Sequence, residues 1–327
     1  MSNSQLKTIE TYIGLMNTNG AAHVLRTAIR LGIVDALMDG QKTVEQLAEA
    51  CSLQPQPLEW LLAVTCQTGL IEHYGDDYAL SQVGRMLPTE FRDLGDRYWQ
   101  YLEGYVRTGR RIPDDVEIPQ HDGDYLAEAA SSEWIVTPAA LEAIQILDIP
   151  ESRSGKHILE IGAGSAVFGL AILHHDPTSN LTALDTEQNL GRTTRTAGSI
   201  GKQDIVQFIV GDYRTAELPA NQFDLVVIEN VLHRETLPTV QKMLQQVHQA
   251  LRAGGEVAIL DVFPGQKEGS LARDLFQLAL HMRMSTGTLH APQTLQAALK
   301  ATGFSNISFA HLKCPPHIYG VIVAGKS

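Results

Sequence analysis

Three acids in the second half of this chain each close an apolar, β-branched run: Glu160 in HILEIG, Asp185 in NLTALD and Asp212 in FIVGDY. In open α/β sheets, ligands sit beyond the carboxyl ends of the strands, where the strand order reverses. A single acid at such an end is equally well a helix cap or a solvated charge. Three at successive ends point to one site. Directly after the first run come Gly162, Ala163 and Gly164. Glycines there let the backbone turn sharply and let a ligand approach closely.

The residue types narrow the ligand. A dinucleotide fingerprint, G-x-G-x-x-G, wants glycine at position 167, where the chain has Val167. A pyrophosphate also favours a helix N-terminus without a nearby acid, and Glu160 stands there. Its carboxylate suits a cationic ligand instead. S-adenosylmethionine has no pyrophosphate and carries an ammonium and a sulfonium. Asp185, about twenty residues beyond the glycines, is placed to accept both ribose hydroxyls. Asp212 can accept from an adenine amino group, and Tyr213 can lie against the ring.

The elements that must hold these residues are legible from residue 156 onward. The runs HILEIG, NLTALD, IVQFIV, FDLVVIEN and GEVAILDVF alternate with the amphipathic stretches FGLAILHHD, QNLGRTTRTAG and TVQKMLQQVHQALRAG. Apolar runs buried on both faces, joined by helices, indicate a doubly wound parallel sheet. Near the end NISFAHL and HIYGVIVAG follow one another without a helix, which makes the last strand antiparallel.

The first half reads differently. AAHVLRTAIRLGIVDAL places Val24, Leu25, Ala28, Ile29, Leu31, Ile33, Val34 and Leu37 on one helical face. TVEQLAEACSL starts a second helix with Thr43 as N-cap and Glu45 and Gln46 in its first turn. Then come a third helix, a strand ending near His73, a GDD turn and a return strand. This is the winged-helix order, which ordinarily means DNA binding. The third helix, PLEWLLAVTCQTG, carries Glu59 and Trp60 but neither lysine nor arginine, so it is badly equipped for phosphates and guanine. An interaction module is the better reading. Residues 96 to 150 read as further helices, with a serine cap at SSEWIV and a polar loop at RIPDDVEIPQHDGD.

Composition agrees. The chain has 327 residues, 44% of them hydrophobic, and a net charge of −12, which repels a nucleic-acid backbone. Cys51, Cys66 and Cys314 are scattered and lack CxxC spacing, as expected of reduced thiols in a cytoplasmic protein rather than disulfides or a zinc site. No apolar run reaches the length of a membrane span. No His and carboxylate cluster has ligand spacing, so no metal is expected.

EIGAGSA, ALDTE, VGDY, FDLVVIENVLH and ALRAGGEVAILD together resemble the successive motifs of class I S-adenosylmethionine-dependent methyltransferases. With the winged-helix-like N-terminus, the whole chain resembles the dimeric small-molecule O-methyltransferases of the plant caffeate and bacterial polyketide type. The resemblance implies a dimerisation domain over 1–95, linking helices over 96–150 and a Rossmann-like methyltransferase domain over 151–327. It implies a homodimer formed through the N-terminal domain, with neither nucleic acid nor membrane as partner. Methyl transfer from S-adenosylmethionine to a hydroxyl of an aromatic or polyketide-like acceptor is the implied activity. Glu160, Gly162, Gly164, Asp185, Asp212 and Tyr213 would hold the cofactor.

In that family a histidine after the fourth strand is the general base, and ENVLHRETLP puts His233 there. An imidazole can take a phenolic proton as the oxygen attacks a sulfonium methyl. Asp261 matches one acid that orients this base. The helix after the fifth strand lines the acceptor pocket, which here means Phe276, Leu280, His281 and Met284. Two departures stand out. Arg234, Glu235 and Thr236 follow His233 in place of the family's tryptophan and acid. GTLHAPQTL offers Leu289 and His290 where a second orienting acid belongs, leaving Glu229 or Glu235 as substitutes. Three alternatives stay open: C- or N-methylation, a member of the fold that binds the cofactor without methylating, and a ligand-responsive winged-helix regulator.

Overall fold

The computed structural model describes residues 2–86, 94–111, 133–265 and 270–326. The chain divides into two compact units, Met1–Gln100 and Tyr101–Ser327.

The first unit begins with α1 (Asn3–Arg30), whose start is fixed by a capping box between Ser2 and Gln5. The helix expected across residues 21–37 is two helices, because Gly32 adopts φ +74 and starts α2 (Ile33–Met38). β1 (Lys42–Thr43) leads into α3 (Val44–Cys51), capped by Thr43 with Gln46 closing the box. α4 (Pro55–Gln67) precedes β2 (Ile71–Tyr74) and β3 (Asp77–Leu80), which pair antiparallel through Tyr74 and Asp77. α5 (Gln82–Met86) and α6 (Asp96–Trp99) complete the described part. The short β1 pairs with β3, giving the sheet order β1-β3-β2. Ile33, Leu37, Leu47, Leu62, Ile71 and Leu80 form the core beneath it.

The second unit opens with α7 (Leu102–Thr108) and α8 (Thr137–Ile146). Most of the polar loop and the serine cap expected at 131–132 lie outside the described residues. Then β4 (His157–Ile161), α9 (Val167–His175), β5 (Asn180–Asp185), α10 (Glu187–Ser199) and β6 (Val206–Val210) follow in turn. β7 (Phe223–Glu229), α11 (Leu237–Ala250), β8 (Leu251–Val262), α12 (Leu271–Arg283) and α13 (Pro292–Ala301) come next. β9 (Phe304–His311) and β10 (Tyr319–Lys326) end the chain.

The seven strands run in the order β6-β5-β4-β7-β8-β10-β9. Neighbours from β6 to β8 are parallel, and β10 runs against both β8 and β9. The final strand is thus the reversed one. From β4 the chain walks outward to β5 and β6, then returns to the other side of β4 as β7. The order reverses there, so the crevice opens beyond Ile161 and Glu229. Alternate residues feed two cores. Ile158, Ala183, Val227 and Leu260 meet α8, α9 and α12, while Leu159, Leu184, Val226 and Ile259 meet α11 and α13. Burial on both faces explains why these strands read as continuous apolar runs.

Candidate active site

The loop after β4 is held from several sides. The N–H groups of Gly162 and Ala163 donate to Leu184 O at 2.9 and 3.2 Å. Gly164 N donates to Asp185 Oδ2 at 3.0 Å, and Thr193 Oγ1 donates to Gly164 O at 2.7 Å. Gly162 has φ +67, and a Cβ there would lie 2.6 Å from Val231 Cγ2 and 3.5 Å from the Tyr213 ring. Position 162 is therefore open to a ligand's approach only as glycine. The other oxygen of Asp185 accepts from Thr186 N at 2.7 Å and Asn189 Nδ2 at 2.8 Å. The carboxylate braces the loop while standing at the end of β5.

Glu160 is buried beneath α9, its Oε2 accepting from Gly169 N at 3.0 Å. Glu229, at the end of β7, accepts from Phe168 N at 3.1 Å. Two acids on adjacent strands thus cap the first turn of one helix and meet the positive end of its dipole. Glu229, considered above as a substitute partner for His233, makes this bond as well. Gly169 permits the arrangement, because a Cβ there would overlap Glu160 Oε2. Nothing in the sequence distinguished Gly169 from any other helical glycine.

Beyond β6, Asp212 is half exposed, and its Oδ1 accepts from Arg214 N at 2.8 Å. Tyr213 donates its hydroxyl to Glu235 Oε1 at 2.7 Å. Arg214 reaches the same oxygen through Nε at 2.9 Å and Nη2 at 2.7 Å. Burial, helped by the Glu235 carboxylate, holds the Tyr213 phenol far above its usual range. Glu235 is itself buried, and it ties the loop after β6 to the segment after β7.

His233 sits on a single 3-10 turn, Leu232–Arg234, and is only 3% exposed. Its Nδ1 meets Asp261 Oδ1 at 2.6 Å, and its backbone N–H donates to Asp261 Oδ2 at 3.1 Å. Val262 N donates to Oδ1 at 2.7 Å. Burial alone would push the Asp261 carboxyl upward, but His233 and these N–H donors outweigh it and hold the group below its usual range. A carboxylate accepts only, so Nδ1 carries the proton and the basic lone pair of neutral His233 falls on Nε2. The Phe276 ring stands edge-on to the imidazole, centroids 5.4 Å apart. Of the other expected acceptor residues, Leu280 and Met284 are buried in the core, and the carbonyl of His281 accepts from Arg111 Nε at 3.3 Å.

The segment Thr286–His290 packs on the backbone of this turn. Thr286 Oγ1 donates to Arg234 O, and Thr288 N donates to His233 O at 2.8 Å. His290 Nε2 lies 3.1 Å from Leu232 O and 2.9 Å from Glu235 O. Among the described residues no cluster of His, Cys, Asp and Glu could hold a metal, and no helix is long and apolar enough to cross a membrane.

Comparison with known proteins places the chain in a family. Residues 115–305 match the family described as O-methyltransferase domain, and residues 14–90 match the O-methyltransferase dimerisation domain. Demethylspheroidene O-methyltransferase of Rhodobacter capsulatus is 21% identical, with 88% of this chain and 75% of that protein covered. The N,N-dimethyltransferase OxyT of Streptomyces rimosus is 25% identical, with 74% of each covered. The crystal structure of human N-acetylserotonin methyltransferase in complex with SAM shares the fold at a TM-score of 0.72 and 19% identity, over 100% of both chains.

Proposed function

Since this chain belongs to the O-methyltransferase family, we propose that it transfers a methyl group from S-adenosylmethionine to a hydroxyl of an aromatic or polyketide-like small molecule, with His233 as general base. The observation that carries this reading is the buried His233–Asp261 pair at 2.6 Å, on the turn that follows β7 at the reversal of strand order.

The residues beside that turn suit the methyl donor. Gly162 keeps a side chain out of the crevice, and the Asp185 carboxylate at the neighbouring strand end holds the Gly164 backbone. Asp212 is accessible, with Tyr213 beside the glycine loop. These residues would hold S-adenosylmethionine, which supplies an electrophilic methyl group when bound. Glu160 contributes indirectly by capping α9.

His233 Nε2 takes the acceptor hydroxyl's proton as the oxygen becomes a nucleophile. Asp261 stays ionised, fixes the tautomer and steadies the imidazolium that forms. The Phe276 edge restricts where a flat acceptor can lie against that ring. Tyr213, its phenol held far above neutrality, keeps its proton, donates it in a hydrogen bond to Glu235 and takes no part in the transfer. The subunit pairs with a second copy through the dimerisation domain. Leu6, Ile9, Tyr12, Ile13 and Met16 of α1 supply exposed apolar surface for that contact.

The test uses methyl-labelled S-adenosylmethionine with a panel of hydroxylated and amino-substituted aromatics. His233→Ala should bind S-adenosylhomocysteine within twofold of wild type and lose turnover about a hundredfold or more, the range of general-base catalysis being about 10²–10⁴-fold. Turnover within threefold of wild type, or methylation of amines with no hydroxyl accepted, overturns the reading.

A further inference from the structure

The His233 turn is too short to satisfy its own backbone. Its internal bonds are Arg234 N to Val231 O at 3.0 Å and Glu235 N to Leu232 O at 3.1 Å. The carbonyls of His233, Arg234 and Glu235 gain nothing from them, and Leu232 keeps a second lone pair. Buried carbonyls need donors. Among the described residues, donors to these carbonyls come from residues 286–290, and two of the contacts converge on one atom, His290 Nε2.

From this geometry we infer that His290 is the positioning residue of the proposed base: its imidazole clamps the turn on both flanks of His233 and so sets the His233–Asp261 contact. The inference rests on the reading of His233 given above, and it explains how the chain manages with Leu289 and His290 where the family's second orienting acid belongs. His290 bridges the carbonyls of the residues one before and two after His233. Both contacts are to acceptors, so His290 must carry its proton on Nε2; the other tautomer would aim a lone pair at two carbonyl oxygens. The clamp is buried, with His290 only 7% exposed, so water is poorly placed to replace it. Loosening the turn lets His233 shift against Asp261, and displacements on the order of 1 Å at a reacting group cost about a hundredfold in rate.

Protein carrying 15N-labelled histidine tests this with S-adenosylhomocysteine as the only added ligand. In wild type, the proton held between His233 and Asp261 should give a downfield imidazole signal, identified by its loss in His233→Ala. His290→Met, similar in volume but without the donor, should lose that signal or exchange its proton at least tenfold faster. His290→Gln, which keeps an N–H donor, should restore it. In wild type itself, the 15N shifts should show His290 protonated on Nε2, a readout that survives if His290→Met fails to fold. A His290→Met protein with unchanged signal and exchange, or a wild-type His290 protonated only on Nδ1, overturns the inference. If His233→Ala methylates normally, the base assignment falls while the clamp is still judged by these signals.

Discussion

Gly162→Ala probes the cofactor loop without needing an acceptor, and its cost has two separable parts. The first is backbone. Gly162 has φ +67, and an alanine in the left-handed region costs about 1–2 kcal/mol. The second is steric. The new methyl would lie 2.6 Å from Val231 Cγ2, so one of them must move by about 1 Å to reach ordinary carbon contact. Val231 is fully buried between β7 and the His233 turn, and overpacking of this kind costs about 1–3 kcal/mol. Together these predict a loss of about 2–5 kcal/mol, shared between folding stability and ligand affinity. Urea unfolding measures the first share and calorimetry with S-adenosylhomocysteine the second, where a tenfold or greater weakening is expected. Val231→Ala removes the clashing methyl, so the double mutant should recover the steric part but not the backbone part. A favourable coupling of about 1–3 kcal/mol in the double-mutant cycle is the signature. A single mutant within about 0.5 kcal/mol of wild type, or additive effects in the cycle, refutes the account of this loop.

Asp261→Asn cannot satisfy its surroundings in either orientation, since three N–H groups converge on it from His233 and Val262. It should lower kcat by about 10²–10³, roughly 3–4 kcal/mol of lost imidazolium stabilisation, with S-adenosylhomocysteine affinity unchanged by calorimetry. Glu235→Gln removes a buried charge shared by Tyr213 and Arg214. It should cost about 1–3 kcal/mol in urea unfolding and weaken S-adenosylhomocysteine binding several-fold. Acid titration of stability provides a separate check. Hydrogen bonds from Ser179, Thr178 and Gly155 outweigh burial and hold Asp176 below its ordinary 3.8, and the bidentate Arg153 holds Glu256 below 4.5. Depressed carboxyls stabilise fully above these ordinary values and lose that contribution as pH falls through the lower folded ones. Stability from these groups should be flat from neutrality to about pH 5 and fall below about pH 4. Asp176→Asn should destabilise at pH 7 and much less at pH 3, as measured by urea midpoints.

How much of this was legible in the sequence depended on the kind of constraint. The strands of the second unit were readable because a parallel sheet with two covered faces demands unbroken apolar runs, as β4, β5 and β7 provide. Thr43 was readable as a cap because capping is local chemistry. The single helix read across residues 21–37 was not right, because the apolar periodicity continues through Gly32 while the backbone turns there. The short β1 was invisible, being two residues defined only by pairing with β3.

The candidate site divides in the same way. Spacing announces which residues arrive at strand ends, but not which neighbour each will meet there. Glu160, Asp185 and Glu229 look alike as terminal acids, and their fates differ by direction. Glu160 and Glu229 turn to the first N–H groups of α9, and Asp185 turns to the glycine loop. Helix capping and loop bracing therefore account for contacts that sequence alone would assign wholly to a ligand. The departures after His233 follow the same logic in reverse. Glu235 and His290 replace the residues expected from relatives, yet each finds a buried partner across the chain. Glu235 secures the loop bearing Asp212 and Tyr213, and His290 secures the turn bearing His233. A substitution that looks like erosion of a motif is here a change in how the same turn is held, because buried backbone carbonyls must be satisfied whatever side chains surround them.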